Sequence, residues 1–405
     1  MPLSILPLKS LETLATDRNE SLLTNDLTKY QDILSSSYQG RRIAIIGAAG
    51  SIGSAVLTEL LRYEPSEVVL FDLNENGLVE VVRELRSSNI YQKLPTIEAI
   101  PIGMGTIEFL RYFSEQPKFD IVFNMAALKH VRSEKNVYSL IRMLDTNCLF
   151  VSDLMERMAE HKGIKFFSVS SDKAVNPASL MGASKLAMER VMAISEIPYA
   201  TARFANVAFS EGSLPHGFLR RLQKGQPLSA PNDILRYFIS HEEAGQLCVL
   251  AAGTMDKGET LVPRLDPVRN TRRFDDIAAR LLRAHGYEPV ECYSEEEARA
   301  SAAELIASGR WPCFFSASDT SGEKPYEEFY DETSQVEDER FEAVKVVSPP
   351  ALSLEDRYAV ERFLTYLRTA KNDPMQTVDD YAAELAHVVP GFRHIRTGRT
   401  LDQKM

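Results

Sequence analysis

Short β-branched apolar runs alternate with longer amphipathic stretches along much of this chain. From Arg41 the run RRIAII precedes SAVLTELLRYE, EVVLFD precedes LVEVVRELRSS, and FDIVFNMAA precedes a helical pattern from about Tyr138 to His161. The strand-like IKFFSVSS, a helical stretch from about Ser184 and the strand-like YATARFANV continue the rhythm. Parallel neighbours need a long crossover, so strands separated by helices predict an α/β fold built on a Rossmann-type doubly wound parallel sheet.

Beyond about Phe209 the rhythm loosens into Gly- and Pro-punctuated stretches such as KGQPLSAPNDILRYF and VPRLDPVRNTRR, which predict a smaller α/β unit. The expected division is a helical extension over 1–40, a Rossmann unit over 41–208, a mainly substrate-binding unit over 209–345 and a helical extension over 346–405. SEEEARASAAELIASGRW predicts an exposed acidic helix, and DETSQVEDERFE a solvated acidic surface.

With 405 residues, 44% of them hydrophobic, the chain is long enough to bury a sizeable core. Its formal charge of −11 argues against a nucleic-acid partner, which would need a basic face. Cys148, Cys248, Cys292 and Cys313 show no CxxC spacing, so neither a metal site nor a disulfide framework is expected, and a reducing cytoplasm fits. The first forty residues lack the pattern of a signal peptide, and no apolar run reaches the roughly 18 residues that suggest a membrane span. A cytoplasmic protein is expected.

Candidate chemistry begins at Gly47-Ala-Ala-Gly50-Ser-Ile-Gly53, between an apolar strand and an amphipathic helix. There the free amides of a helix N-terminus can meet a dinucleotide pyrophosphate, and glycines let the backbone approach it. Gly47, Ala49, Gly50, Ser51, Ile52 and Gly53 are the candidate contacts, against the plain reading of a structural turn. Asp72 closes EVVLFD, where a carboxylate would accept hydrogen bonds from a ribose and repel a ribose phosphate. That favours NAD over NADP; a helix cap is the alternative.

The later blocks FNMAALKHV, DTNCLF and SVSSDKAVNPASLMGASKLAMERV resemble the extended short-chain dehydrogenase/reductase superfamily. SSDKAVNP followed by MGASK closely resembles its polysaccharide-biosynthesis branch, typified by bacterial UDP-N-acetylglucosamine 4,6-dehydratases. The resemblance runs from Gly40 to about Val262 and returns at SGEKPYEEFYDE. It implies a nicotinamide cofactor, a nucleotide-sugar substrate that is UDP-linked, and a homo-oligomer formed through helices of the dehydrogenase core. The superfamily's usual pair is a Tyr and a Lys four positions later; here the Lys is Lys185 and the Tyr position holds Met181. A thioether moves no proton, which weakens a plain epimerase or reductase reading, and several dehydratases of the branch are similar in carrying Met there.

The implied reaction oxidises carbon 4, eliminates water across carbons 5 and 6, and returns the hydride to carbon 6. By resemblance Ser171 hydrogen-bonds the carbon 4 oxygen, Asp172 handles the proton at carbon 4 or on the departing hydroxyl, and Lys173 removes the carbon 5 proton. Which proton each handles stays open, and a polar strand-end turn is the bland alternative. Lys185 is expected to hold the nicotinamide ribose, with Ala126 and Ala127 at the strand end beside the cofactor. Asn147 matches an asparagine that structures the active-site helix, or makes a simple helix contact.

For the substrate, Lys129 and His130 follow that strand end, His130 being alternatively a packed core residue. Asn206 lies in Arg203-Phe-Ala-Asn206-Val, Arg236 resembles an arginine that grips the diphosphate or makes a salt bridge, and Glu328 in GEKPYEEF is expected near the nucleotide ribose. Two features depart from the branch: Gly103-Met104-Gly105-Thr106 replaces a usual Gly-Asp, and the acidic helix before GEK is long. Two other functions stay in view, a nucleotide-sugar epimerase or 5,6-dehydratase, and a catalytically silent binder of NAD or nucleotide sugar.

Overall fold

A computed structural model describes residues 6–88, 94–161, 163–254, 258–318, 327–348 and 351–394. Helices α1 (Leu8–Thr16), α2 (Thr24–Lys29) and α3 (Gln31–Tyr38) come first. Then follow β1 (Arg42–Ile46), α4 (Ser51–Leu60), β2 (Glu67–Phe71), α5 (Glu75–Ser87), β3 (Thr96–Ile100), α6 (Ile107–Glu115) and β4 (Ile121–Asn124). Next are α7 (Val137–Leu144), α8 (Phe150–Ala159), β5 (Lys165–Ser171), α9 (Leu180–Ile194) and β6 (Tyr199–Phe204). The strands β6-β5-β4-β1-β2-β3 lie side by side in parallel, and β1 pairs Ile46 with both Phe71 and Asn124. Strand order therefore reverses between β1 and β4, which opens a crevice at their carboxyl ends. Ile43 to Ile46 are almost wholly buried, as befits a strand covered on both faces.

The rest of the chain supplies β7 (Asn206–Val207), α10 (Leu214–Gln223), β8 (Leu228–Pro231), β9 (Leu235–Ile239), α11 (His241–Thr254), β10 (Thr260–Pro263), β11 (Thr271–Arg273) and α12 (Phe274–Ala284). It ends with β12 (Glu288–Glu291), α13 (Glu295–Ala307), β13 (Arg310–Ser316), β14 (Gln335–Glu337), β15 (Val344–Ser348), α14 (Leu354–Ala370) and α15 (Val378–Val388). Residues 209–345 are shared between two layers. β10 continues the large sheet beside β6, and β15 and β14 extend its edge in antiparallel fashion to give nine strands. β8, β13 and β12 form a separate parallel sheet, and β7, β9 and β11 a small mixed one.

Three apolar clusters hold these layers. One lies on the α4/α11 face of the large sheet and takes in Leu34 and Tyr38 of α3; the second lies on the α8/α9 face. The third gathers Phe218, Leu281 and Trp311 of the smaller unit around Leu11 of α1. The first helices thus belong to two different cores.

Three expectations change. The helical pattern from Tyr138 to His161 is broken by a π turn at Asp145–Leu149, all five residues of which are buried. The acidic stretch before GEK is not merely solvated: α13 is the crossover between β12 and β13, with Ala298 and Leu305 packed inward. DETSQVEDERFE likewise contributes β14 and the buried Phe341. Counting charges hid a narrow apolar stripe in each case.

The C-terminal helices lie on α9. Val360, Phe363, Leu364 and Leu367 of α14 join Leu385 and Val388 of α15 in the second cluster. Arg190 of α9 donates Nη1–H to Asp356 at 3.0 Å and to the Val388 carbonyl at 2.8 Å, and Arg368 reaches Asp153 of α8 at 2.7 Å. This face of the core helices is covered by the chain itself. Among the described residues no helix is long and apolar enough to cross a membrane.

Phe363 is fully buried beneath α14. Phe363→Ala is expected to lower the unfolding free energy in urea by about 3–5 kcal/mol, the cost of an aromatic-sized cavity. A loss under about 1 kcal/mol would make α14 a peripheral attachment.

Candidate functional site

The site begins where the backbones of β1 and β4 crowd together. Gly47 has φ +79°, and a Cβ there would stand 2.8 Å from the Ala126 nitrogen; a Cβ on Gly53 would stand 2.1 Å from the Gly47 carbonyl oxygen. Neither position admits a side chain without moving backbone. No side chain caps the N-terminus of α4, so its first amides face the crevice. The Asp72 carboxylate accepts from the amides of Ala49 and Asn74, each at 2.9 Å, which ties the turn to the end of β2. Asn74, not Asp72, caps α5 by accepting from Gly77 at 3.0 Å. In the departing Gly103–Thr106 segment, Met104 is buried and Thr106 caps α6.

A cleft of about 690 Å³ opens above this turn, walled in part by Ala127, Val169 and Met125. Its size lies within the usual range for small-molecule sites, roughly 300–1,000 Å³. Ser171 closes β5, donating its hydroxyl to Asp172 at 2.7 Å and accepting the Lys173 amide at 3.1 Å. Lys173 Nζ lies 3.5 Å from the Asp172 carboxylate, and Asp172 is buried while Lys173 stays substantially exposed. Met181 fills the cleft wall, its amide held at 3.2 Å by Glu134 at the start of α9. One turn on, Lys185 donates to the Val169 carbonyl at 2.9 Å. Complete burial pushes its amine down to about 8, against weaker opposing effects of Cys148 and Glu189.

Asn147, in the π turn, does not line the cleft. It accepts from the Leu128 amide at 3.0 Å, donates back to the Leu128 carbonyl at 3.1 Å and donates to Ser184 at 2.9 Å. It is a brace between α9 and the loop that carries Lys129 and His130. Lys129 donates to the Glu211 carbonyl at 3.2 Å, and enclosure by the cleft walls lowers its pKa, with Lys173's charge adding to the effect. His130 is exposed on the rim beside Gly212, not packed in a core.

The remaining candidates separate. Asn206 lines the cleft, donating to the Tyr237 carbonyl at 3.1 Å and to Glu327. Arg236 lies behind it, buried, with Nε 3.8 Å from Glu327. Glu328 points outward, exposed, and accepts from Asn176 at 3.3 Å. Sequence reasoning thus selected the outer member of the Glu327-Glu328 doublet. An available signal was Phe329: in an extended segment Glu327 shares its face, and Phe329 is buried. Arg220, which lines the cleft from α10, was also missed, because LRRLQ alone does not say which arginine faces inward.

A family model described as "Polysaccharide biosynthesis protein" matches residues 43–349. An uncharacterized membrane protein of Methanocaldococcus jannaschii is 29% identical over 79% of this chain and 89% of its own length. The capsular polysaccharide biosynthesis protein CapD of Staphylococcus aureus is 29% identical over 63% of this chain, which spans 42% of that relative's length. A UDP-N-acetylglucosamine 4,6-dehydratase (inverting) of Campylobacter jejuni is 23% identical over 60% of this chain and 73% of its own length. Among solved structures, Pen from Bacillus thuringiensis is similar with a TM-score of 0.60 at 21% identity, over 78% of this chain and 92% of that one; this is a likeness of fold.

Because the folded protein releases the Lys185 proton before the unfolded chain does, its stability rises with pH between about 8 and the ordinary value of 10.5. The stability of the wild type relative to Lys185→Met is therefore expected to be flat below that window and to climb through it, as read by denaturation at a series of pH values. A difference that does not change with pH would show that the charged amine is accommodated at no cost.

Proposed function

We propose that this chain, which belongs to the polysaccharide biosynthesis protein family, is a nucleotide-sugar 4,6-dehydratase that uses NAD and takes a UDP-N-acetylglucosamine-like substrate. The observation that carries the reading is that Ser171, Asp172 and Lys173 face the same cleft as Met181 and Lys185. Proton-moving groups stand at the end of β5, while the position where the superfamily carries its tyrosine offers none. That suits elimination better than simple carbonyl reduction. The names of the Staphylococcus and Campylobacter relatives support the same direction.

The cofactor's cradle is a turn in which two added methyl groups would collide with backbone, followed by uncapped helix amides that suit a pyrophosphate. Asp72 keeps lone pairs free for ribose hydroxyls and would repel a 2′-phosphate, which favours NAD over NADP. When bound, NAD supplies hydride acceptance from carbon 4 and hydride return to carbon 6.

The chain's own residues supply the rest. Ser171 orients Asp172 through its hydroxyl, leaving the carboxylate to take the proton of the carbon 4 hydroxyl or give one to the departing hydroxyl of carbon 6. Lys173, exposed at the mouth of the cleft, is the base that removes the carbon 5 proton. Lys185 places positive charge under the reacting carbons and stabilises the oxygen charge that develops there. Lys129 and Arg220 bring cationic groups to the wall where a diphosphate would run, Arg220 with the planar fork suited to it.

Incubated with NAD and a panel of UDP-, GDP-, CDP- and dTDP-sugars in deuterated water, the protein is expected to give a product that has lost water and gained deuterium, without net NADH. Deuterium gain without water loss would favour epimerisation, and no change despite ligand binding a silent binder. Asp172→Asn is expected to lower turnover by about 10²–10⁴-fold while leaving NAD affinity, measured by calorimetry, unchanged. Retained turnover would remove Asp172 from the mechanism.

A further inference from the structure

Behind the cleft lies a carboxylate that the mechanism above does not use. The Glu327 side chain is 4% exposed. One oxygen accepts the Tyr237 amide of β9 at 2.8 Å, and the other accepts from Asn206 of β7 and lies 3.8 Å from Arg236 Nε. It is held in place by the buried Phe329, whose carbonyl accepts from Arg203 at 2.8 Å; that arginine is itself paired with Glu189 at 2.6 Å. Among the described residues, the charged groups that act most on Glu327 are Asp172, Arg236 and Lys173.

We propose that Glu327 is a positioning residue of this site: from behind the cleft it aims the Asn206 amide into it, without itself touching substrate. The inference rests on the dehydratase reading for its effect on turnover, although the state of the Glu327 carboxyl can be tested apart from it.

Two geometric facts carry it. Asn206 commits its amide nitrogen to Glu327 and to the Tyr237 carbonyl, so what the side chain offers the cleft is its carbonyl oxygen, an acceptor for a substrate hydroxyl or amide. Remove the Glu327 carboxylate and, among the described residues, the Tyr237 carbonyl is left to fix which way that amide faces. Second, among the described residues Glu327 has no short ion pair to neutralise it: the Arg236 contact is longer than a hydrogen bond, and the negative Asp172 acts against its ionisation. Burial first, then the Asp172 charge, raise the Glu327 carboxyl to about 7, with the Tyr237 amide, Arg236 and Lys173 pulling the other way.

Infrared difference spectroscopy on the protein without substrate reads a buried protonated carboxyl directly. The expected result is a carbonyl band that titrates near pH 7, disappears in Glu327→Gln, and moves to lower pH by about one unit or more in Asp172→Asn. A Glu327 band that titrates at the same pH in Asp172→Asn puts the carboxyl out of reach of the site and counts against the positioning role. With substrate, Glu327→Gln is expected to cut kcat by about 10²-fold, the scale of a misplaced reacting group. KM should be little changed, and the bend near neutral pH in the kcat profile should be lost. Glu327→Asp should restore part of kcat and the bend. A Glu327→Gln profile that keeps the wild-type bend overturns the positioning role. If no nucleotide sugar is dehydrated by the wild type while the infrared shift in Asp172→Asn holds, the dehydratase reading falls and the place of Glu327 beside the site stands.

Discussion

The close approach of the turn after β1 to the end of β4 is the constraint on which the rest of the site depends. At Gly47 the Ala126 backbone occupies the place of a side chain, and at Gly53 the Gly47 carbonyl does. Only that tight crossing lets α4 begin directly above the sheet edge with its amides exposed, and only the reversal of strand order puts β5, with Ser171 to Lys173 at its end, on the other side of the same crevice. A larger residue at either glycine would separate the α4 side of the cleft from the side that carries Ser171 to Lys173.

The polar groups around the cleft fall into two kinds. Lys173, Lys129 and Arg220 stand on the open side of the cleft. Asn147, Arg236 and Glu327 are turned away from it: Asn147 and Glu327 spend hydrogen bonds on backbone and on Ser184 and Asn206, and Arg236 donates to the Leu235 carbonyl. The second kind fixes where the first can be. Asn147 does so most directly, bracing the Leu128 backbone next to Lys129 against Ser184 next to Lys185, so that the backbone beside two lysines on different elements is tied together.

Much of this was legible in the sequence, and the failures have physical causes. The parallel core could be read because buried parallel strands are nearly pure apolar runs and the glycine turn has a steric reason at each position. Residues within one motif, such as Ser171, Asp172, Lys173, Met181 and Lys185, also came together as expected, since a strand end and the helix after it are locally determined. Residues brought from a distance did not follow as well. Arg236 and Glu328 were chosen on local likeness, while Glu327 and Arg220, which were passed over, depend on which face of an extended segment or of α10 turns inward. The acidic stretches were misjudged because net charge conceals two or three inward-facing apolar side chains, and β14 and β15 because strands that close a sheet from far along the chain leave no local sign of their partner.

The grip of α14 and α15 on α9 separates two kinds of border. The segment recognisable as a family ends at residue 349, yet Val360, Phe363, Leu367 and Leu385 beyond it cover the apolar back of the helix that carries Lys185. A fragment trimmed to the recognisable segment would bare that surface to water and to other chains, inviting aggregation and protease attack. The unit that is shared by descent and the unit that folds are therefore not the same stretch of polypeptide.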